Sequence, residues 1–325
     1  MARSDFVHLH THTEYSMLDG AASNEKLFAE VARQGMPAVA MTDHGNMFGA
    51  YEFFQISKKY DGDQNPLVKP IIGIEAYVAP STRKSRVQEF WGTSRDAGDP
   101  DAEGGKDVSG GGRYTHMTMW AKDSEGLHNL FRLSSLASYE GYYMKPRMDR
   151  ELMGQYPGGI IASTGCPSGE VQTRLRLGQF EEACQAASDY RDIFGRENYF
   201  CELMDHGVPI EKQVRSDLLK LAKKLDIPLL VTNDSHYVTE DQADAHDSLL
   251  CVGVGRNKDD PNRFRFNGSG YYIKSSEQMR ALFPDHPEAC DNTLLLTEMI
   301  GSYDEVFKYV DRMPQFDVPE GETQE

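Results

Sequence analysis

Residues 6–13 read FVHLHTHT and place a histidine at every second position, at His8, His10 and His12. Strand residues two apart point to the same face of a sheet, so this alternation predicts a β-strand with three imidazoles on one side. Two imidazoles separated by one residue can chelate a single metal ion. Polar strand residues without a ligand role are the other interpretation, and the pattern alone does not decide between them.

Short apolar runs and longer helical patterns alternate along the rest of the chain. Six further strands are predicted, in PAVAMTDHG, PIIGIEAYVAP, YTHMTMWAKD, GGIIASTGC, NYFCELMDHG and IPLLVTNDSHY. One helix is predicted in SNEKLFAEVARQG, with Ser23 as N-cap and Gly35 as its stop, and others in SEGLHNLFRLSSLAS, SGEVQTRLRLGQFEEACQAASDYRDIFG and EKQVRSDLLKLAKKL. Repeated βα units indicate an α/β fold, and seven strands favour a closed or nearly closed βα barrel over an open sheet.

Two stretches interrupt this alternation. Residues 81–113 are rich in glycine, aspartate and serine and lack apolar periodicity, which predicts a largely flexible insertion. Residues 281–325 carry one helical pattern, ACDNTLLLTEMIGSYDEVF, followed by a polar tail. We expect them to begin a further region that this chain truncates. The functional domain is therefore expected within residues 6–280.

The chain is strongly acidic. Among its 325 residues, 51 are Asp or Glu and 34 are Lys or Arg, for a net charge of −17. A broad basic surface for nucleic acid is excluded, so a phosphate substrate would need another source of positive charge, such as bound metal ions. No apolar run approaches the roughly 20 residues of a membrane span, and the N-terminus lacks a signal-peptide core. We expect a cytoplasmic protein without a membrane partner, its five cysteines being reduced thiols or metal ligands.

Side chains that bind metals recur at the ends of the predicted strands. In a βα barrel the carboxyl ends of the strands converge on the face that carries the active site. The nine candidates are His10, His12, Asp19, His44, Glu75, His116, Cys166, Asp234 and His236. Nine ligands are too many for one tetrahedral zinc and suit a cluster of two or three ions. Imidazoles with one thiolate favour zinc, with iron or manganese as alternatives and magnesium disfavoured.

Each candidate also has a structural interpretation. Asp43 and His44 before a glycine are compatible with a plain turn, and Cys166 with a small buried residue. A nucleophilic cysteine paired with Arg174 would need a spacing two residues shorter than the one present. An EF-hand in residues 61–72 is excluded because Pro66 stands where the loop requires glycine.

The segments that carry these residues also occur in a recognisable order. HLHTHTEYSMLDG, MTDHGNM, IIGIEAYV, YTHMTM, STGCPSGEVQ, ELMDHG and TNDSHY closely resemble the PHP (polymerase and histidinol phosphatase) domain. Within that family they resemble the N-terminal PHP domains of bacterial replicative DNA polymerases, and an actinobacterial source is expected. The resemblance covers residues 6 to about 280 and implies a distorted (β/α)7 barrel that holds three metal ions. The tail RMPQFDVPEG resembles the lead-in to a polymerase palm.

Carried over by motif, the resemblance divides the nine candidates among three ions. It implies His10, His12 and Asp234 for the first ion, Glu75 as a bridge to the second, His116 and Cys166 to complete the second, and Asp19, His44 and His236 for the third. His8 stays outside the cluster. Many relatives of this kind lack several ligands, whereas this sequence departs at none of the nine positions, as a working site requires.

In that family setting the implied reaction is metal-assisted phosphodiester hydrolysis by a 3′→5′ exonuclease that removes misincorporated nucleotides. The residues expected to carry the reaction are Asp19, His10, His12 and Glu75, and the expected substrate contacts are Lys145, Arg147 and His206. A surface ion pair is the alternative role for Arg147. The expected partners are the 3′ end of a DNA primer, the rest of the polymerase subunit and other replisome subunits.

Two other functions remain open. The metal site could be an inert structural centre that stabilises the polymerase subunit and docks a separate proofreading exonuclease. The substrate could also be a small phosphoester or pyrophosphate, although the polymerase-like tail speaks against a small metabolite. DNA synthesis is assigned to the part of the polymerase that is absent, because no palm carboxylate motif is visible.

Overall fold

Seven strands of the described residues form one curled, mixed sheet in this computed structural model, which describes residues 4–92 and 107–311 together with Met313 and Val318. The strands are β1 (Ala38–Met41), β2 (Lys69–Val78), β3 (Thr115–Ala121), β4 (Arg147–Met148), β5 (Ile160–Ser163), β6 (Tyr199–Leu203) and β7 (Leu229–Val231). Their order is β1-β2-β3-β5-β6-β7, with β4 paired to the end of β2. Paired strands are parallel except that β3 is antiparallel to β2 and β5. The predicted α/β barrel class is confirmed as a half-barrel surrounded by helices.

Helices cover the outside of this sheet. Within the described ranges they are α1 (Asn24–Arg33), α2 (Ala50–Ser57), α3 (Ser109–Gly112), α4 (Ser124–Glu140), α5 (Arg150–Gln155), α6 (Glu170–Arg176), α7 (Phe180–Phe194), α8 (Pro209–Leu225), α9 (Ala243–Val254), α10 (Ser276–Leu282), α11 (Pro287–Met299) and α12 (Asp304–Phe307). In α1, Leu27, Phe28 and Val31 are buried at helical spacing, and Gly35 follows with a φ of 72°. No helix in this part of the chain has the length and apolar character to cross a membrane.

The prediction of a single helix over residues 168–195 is wrong. The segment forms α6 and α7, and the chain turns between them at Gly178, whose φ is 73°. A positive φ is easily reached by glycine and incompatible with a continuing right-handed helix. The apolar spacing of each half is helical, which is why the break is not visible from periodicity.

The opening stretch is extended but is not a regular strand, which corrects the strand prediction for residues 6–13. Only isolated bridges form there, at Thr11 and Thr13. On one side, Ala40 N donates to His8 O at 2.9 Å, at the edge formed by β1. On the other, His12 N donates to the carbonyl of Ser235, just after β7, at 2.7 Å. The stretch therefore bridges the two edges of the curled sheet.

The two ends of the predicted flexible insertion are held by buried charges. Arg83 is buried and its Nη1 lies 2.9 Å from Asp149 Oδ1. Asp107, also buried, accepts hydrogen bonds from Trp91 N at 2.9 Å and Gly92 N at 2.7 Å. These contacts hold both ends of the insertion in place, which differs from the flexibility predicted for them. The middle of the insertion, residues 93–106, lies outside the described residues.

The region after residue 280 packs against the barrel. Val7 N donates to Thr293 Oγ1 in α11 at 3.1 Å, and the buried Tyr303 donates its hydroxyl to Ala121 O at 2.6 Å. The predicted helical pattern is divided into α11 and α12 by residues 300–303. That the tail begins a further region stays a prediction, since most residues from 312 onward lie outside the described ones.

Candidate metal centre

The predicted metal ligands meet at one end of the sheet. They come from the opening stretch and its loop, from the end of β1, from β2 and β3, and from the loops after β5 and β7: His10, His12, Asp19, His44, Glu75, His116, Cys166, Asp234 and His236. Groups able to share an ion form three sets, which are His10, His12 and Asp234; His44, Glu75 and His116; and His12, Asp19, His44 and His236. This grouping overlaps with the one implied by the family resemblance, but it also places His12 with Asp19 and His44 with Glu75, and it does not include Cys166.

The first set lies deepest in the barrel. His10 Nε2 is 3.4 Å and His12 Nε2 is 3.1 Å from the same oxygen, Asp234 Oδ1. Both histidines are fully buried. Asp234 itself has a φ of 42°, a left-handed conformation that is uncommon outside glycine and that recurs where side chains are held for function. The alternation of the opening stretch thus places two imidazoles on one carboxylate, while His8 points elsewhere, to Lys274 O at 2.9 Å.

Glu75 connects the sets. Its Oε2 is 2.6 Å from His44 Nδ1, and its Oε1 is 3.1 Å from His116 Nδ1 and 3.4 Å from His10 Nε2. A carboxylate whose two oxygens face different imidazoles has the geometry of a bridging ligand. Cys166 lies beside this set, with its Sγ 3.6 Å from His116 Nδ1.

The third set is closest to solvent. Asp19 Oδ2 is 2.7 Å from His44 Nε2 and 3.2 Å from His236 Nε2. The Asp19 side chain is 22% exposed, compared with 13% for Asp234 and 1% for Glu75. Solvent therefore reaches the cluster mainly at Asp19 and His44, whose side chains are 22% and 19% exposed.

The cluster passes a physical test for cation binding. Buried polar atoms are nearly always hydrogen-bonded, yet five atoms at this site are buried without such a bond: His10 Nε2, His12 Nε2, His44 Nδ1, Glu75 Oε2 and Asp234 Oδ1. His44 Nδ1 and Glu75 Oε2 lie 2.6 Å apart but are not aligned for a hydrogen bond. Two ligands of one ion are expected to lie close together in this way. Imidazole and carboxylate donors in these numbers fit divalent transition metals.

The charges at the site keep its carboxylates ionised. Burial alone would raise the pKa of Asp19, but the neighbouring His236 and His44 hold it well below its usual value. Burial likewise opposes the charge on His44, yet Glu75 and Asp19 together raise its pKa to about 10. Burial and two neighbouring imidazoles lower the pKa of His12 to about 3, so this ring is neutral. Ionised carboxylates and a neutral imidazole, as in His12, are the forms that bind metals, whereas His44 would release its proton when an ion binds.

Glu202 is a further residue of the site that the sequence interpretation missed. It is fully buried in β6, and its Oε1 lies 2.7 Å from His10 Nδ1. The same carboxylate accepts hydrogen bonds from Thr232 Oγ1 at 2.6 Å, Thr118 Oγ1 at 3.1 Å and Ser163 Oγ. A carboxylate on the far nitrogen of a histidine fixes the tautomer and directs the other nitrogen at the metal. A buried acid in an apolar strand, the signal used for Glu75, could have revealed it.

A second supporting chain orients His12. Ser16 Oγ donates to Asp43 Oδ1 at 2.9 Å and accepts from His44 N at 3.0 Å. Because its one hydroxyl proton goes to Asp43, its 2.8 Å contact with His12 Nδ1 requires the imidazole to donate. The proton therefore sits on Nδ1, and the lone pair of His12 Nε2 faces the cluster.

Of the three predicted substrate contacts, only one faces the site from solvent. Lys145 is exposed, and its Nζ lies 5.3 Å from the centre of the Tyr77 ring, which is stacked on His44 at 5.8 Å. A short stack of rings therefore connects this cation to the ligands.

The other two predicted substrate contacts are structural, which corrects that expectation. Arg147 is buried, and its guanidinium donates only to backbone carbonyls, including those of Arg113 and Ser85. Both ring nitrogens of His206 are engaged, Nδ1 with Glu211 at 2.6 Å and Nε2 with a backbone carbonyl at 2.7 Å. Four of the five N–H groups of Arg147 and both ring nitrogens of His206 are thus engaged within the protein, and neither side chain is placed to bind a phosphate.

Comparisons with known proteins agree with the geometry. The family profile described as "PHP domain" matches residues 8–206. DNA polymerase III subunit alpha of Saccharopolyspora erythraea is 59% identical over 98% of this chain and 26% of its own length. The same subunit of Mycobacterium tuberculosis is 55% identical over 99% of this chain and 26% of its own length, and that of Thermus aquaticus is 38% identical over 98% and 25%.

The chain spans about a quarter of the length of these curated relatives. Among solved structures, histidinol phosphate phosphatase from Lactococcus lactis, complexed with zinc, L-histidinol and phosphate, has a TM-score of 0.32 at 14% identity, covering 83% of this chain and 99% of its own. A likeness at that level supports no argument about function. The family profile matches more than half of the chain, at residues 8–206, and the chain therefore belongs to the PHP domain family.

Proposed function

We propose that this chain is a metal-dependent phosphodiesterase that acts in the cytoplasm as the 3′→5′ proofreading exonuclease domain of a DNA polymerase III alpha subunit. The observation that carries the proposal is the convergence of nine ligand side chains in which five buried polar atoms lack hydrogen bonds. Other buried atoms without such bonds, among them His8 Nδ1 and Tyr199 Oη, are scattered through the described residues, whereas these five face one another in one cluster. The relatives that match over nearly the whole chain are DNA polymerase III alpha subunits, which supports DNA as the substrate.

Three divalent ions, zinc in preference to manganese or iron, are proposed as cofactors. His10, His12 and Asp234 would hold one, Asp19, His44 and His236 another, and His116 and Cys166 the ion between them, with Glu75 as the bridge. Such ions lower the pKa of a bound water and stabilise the charge of a phosphodiester during its hydrolysis. They also supply positive charge that a chain of net charge −17 lacks at its surface.

The residues of the chain itself would position the substrate. Asp19 lies on the exposed side of the cluster, and Lys145 is an exposed cation that contacts the Tyr77 ring, which is stacked on the proposed ligand His44. We propose that Lys145 contacts a phosphate bound at Asp19 and His44. Glu202 and Ser16 act behind the ligands, where they hold the lone pairs of His10 and His12 toward the cluster.

The test is time-resolved digestion of a primer with a mismatched 3′ end by the zinc-loaded protein and its Asp19→Asn variant. This change keeps the size of the side chain but removes a ligand charge, and we expect shortening from the 3′ end to slow by about 100-fold or more. Asp63→Asn, an exposed aspartate outside the site, is the matched control and should digest like the parent. Metal content is measured in every sample.

The main alternative is an inert structural centre that docks a separate exonuclease, and the depth of the first set favours it. His10 and His12 are fully buried, as ligands of a structural ion often are. The same assay separates the two functions. A zinc-loaded parent that leaves the primer intact, alone and within the full polymerase subunit, contradicts the exonuclease and supports the structural role.

A further inference from the structure

A cleft of about 480 Å³ lies beside the metal centre, between α9 and the loop of residues 255–270. Its walls include Tyr237, His246, Leu250, Arg265 and Phe266. This volume lies within the range of roughly 300–1,000 Å³ of small-molecule sites and exceeds what a phosphate alone would need.

The cleft is adjacent to the third set of ligands. His246 Nε2 is 2.7 Å from the backbone oxygen of Asp19, and the Phe266 ring stands edge-on to His236 with 4.6 Å between ring centres. Two walls of the cleft therefore touch two of the proposed ligands. Asp19 and His236 do not themselves line the cleft, but each contacts one of its walls, so the cleft and the third set of ligands are separated by a single layer of side chains.

One arginine of the cleft forms no direct hydrogen bond or ion pair. Asp247 pairs with Arg263 at 2.6 and 2.7 Å, and Asp244 pairs with Lys258 at 2.5 Å. Arg265 is exposed, and within the part of the chain that the structure describes its only recorded interaction is the attraction of its charge to Asp247, which, after the hydrogen bonds from Arg263, helps to lower the pKa of that carboxyl. The cleft therefore combines an aromatic ring with a guanidinium whose N–H groups are not hydrogen-bonded within the described chain.

We infer that this cleft binds the nucleoside of the terminal nucleotide whose phosphate lies at the metal centre, an inference that rests on the proposed phosphodiesterase function. The base would pack against Phe266, since stacking on an aromatic ring tolerates any base, as removal of a mismatched 3′ nucleotide requires. Arg265 would stack on the base or contact a phosphate. The two residues bind and position the substrate, whereas bond cleavage belongs to the metal centre.

The experiment compares two probes, thymidine 5′-monophosphate and inorganic phosphate, by calorimetric titration of the zinc-loaded protein. Both probes reach the metals, but only the nucleotide reaches the cleft, so the ratio of their dissociation constants isolates the nucleoside contribution. We expect the nucleotide to bind more tightly, and Phe266→Leu and Arg265→Ala each to lower that ratio. For Phe266→Leu the loss should be about 5- to 150-fold, the measured range for stacking of one base. Arg256→Ala, an exposed arginine of the same loop that does not line the cleft, should keep the parent ratio.

The outcomes separate the cleft from the exonuclease. Equal affinities for the two probes, or an unchanged ratio in both variants, overturn the inference. Because Phe266 touches His236, Phe266→Leu could disturb zinc binding; Arg265→Ala, which contacts no ligand, then decides the outcome. A nucleotide preference that both variants lose, in a protein that never shortens DNA, would support the cleft while contradicting the proposed exonuclease.

Discussion

Two buried polar regions of this molecule are organised in opposite ways. At the metal centre, five buried nitrogen and oxygen atoms point at one another without hydrogen bonds. Around Arg147 the reverse holds, because its guanidinium donates to the carbonyls of Arg83, Ser85, Arg113 and Gly141 at distances between 2.6 and 3.1 Å.

The contrast shows how polar burial distinguishes function from architecture. A buried polar atom without a partner costs about 1–3 kcal/mol, so a cluster of them destabilises the fold unless something else binds there. Arg147 carries no such cost, and its role is to hold the chain segments before β3 and β4. The sequence predicted functional residues in both regions, metal ligands in one and a phosphate contact in the other. Only the hydrogen bonds of the folded chain distinguish the two regions.

Removal of metal ions should have the largest effect. We expect ions to bind the five unpartnered atoms and so to stabilise the folded state. With free zinc about a thousandfold above its dissociation constant, the free energy of unfolding should be about 4 kcal/mol higher than that of the protein from which a chelator has removed the metal. Urea denaturation with and without a chelator measures the difference. Identical unfolding curves would show that no ion binds these atoms, and the lack of hydrogen bonds at the centre would then not distinguish it from the region around Arg147.

Substitution of Arg147 should produce the next largest effect. Arg147→Met fills a similar volume but leaves four carbonyls without their donor, so we expect a loss of about 3 kcal/mol in the free energy of unfolding with zinc content unchanged. Arg196→Met, at an exposed ion pair, should lose less than about 1 kcal/mol. A variant of normal stability with weakened DNA binding would instead restore Arg147 as a phosphate contact.

Glu202 shares features of both regions. Like Arg147 its polar atoms are hydrogen-bonded, yet it contacts His10, a proposed metal ligand. Glu202→Gln should weaken zinc binding by about 10- to 100-fold, because His10 loses the partner that fixes its tautomer. Competition with a chromogenic chelator measures the affinity. Glu170→Gln alters another buried glutamate, bonded to Tyr190 and Arg150, and should reduce stability while zinc affinity is retained. Equal zinc affinities in the two variants would make Glu202 a purely structural residue.

Much of the site was predictable because its signals are local. The spacing of His10 and His12 places both on one face of an extended chain, and metal-binding side chains after successive strands predict a common edge. The motif order added the division into three sets, which stays a prediction, since His12 lies 3.1 Å from Asp234 in its own set and 3.5 Å from Glu75 in another.

Other features depended on contacts between distant segments, which no local pattern encodes. Glu202 reaches His10 across 192 residues of sequence, and the same folding that brings them together engages Arg147 and His206 in structural bonds. The opening stretch predicted a common face correctly for His10 and His12 but not for His8, and it predicted the wrong element, because its partners are the two edges of the sheet. By itself, the sequence determined that the fold is of the α/β class and predicted which side chains converge as candidate metal ligands. Only the tertiary structure decided which buried polar groups are satisfied, since that depends on what each group meets after the chain has closed.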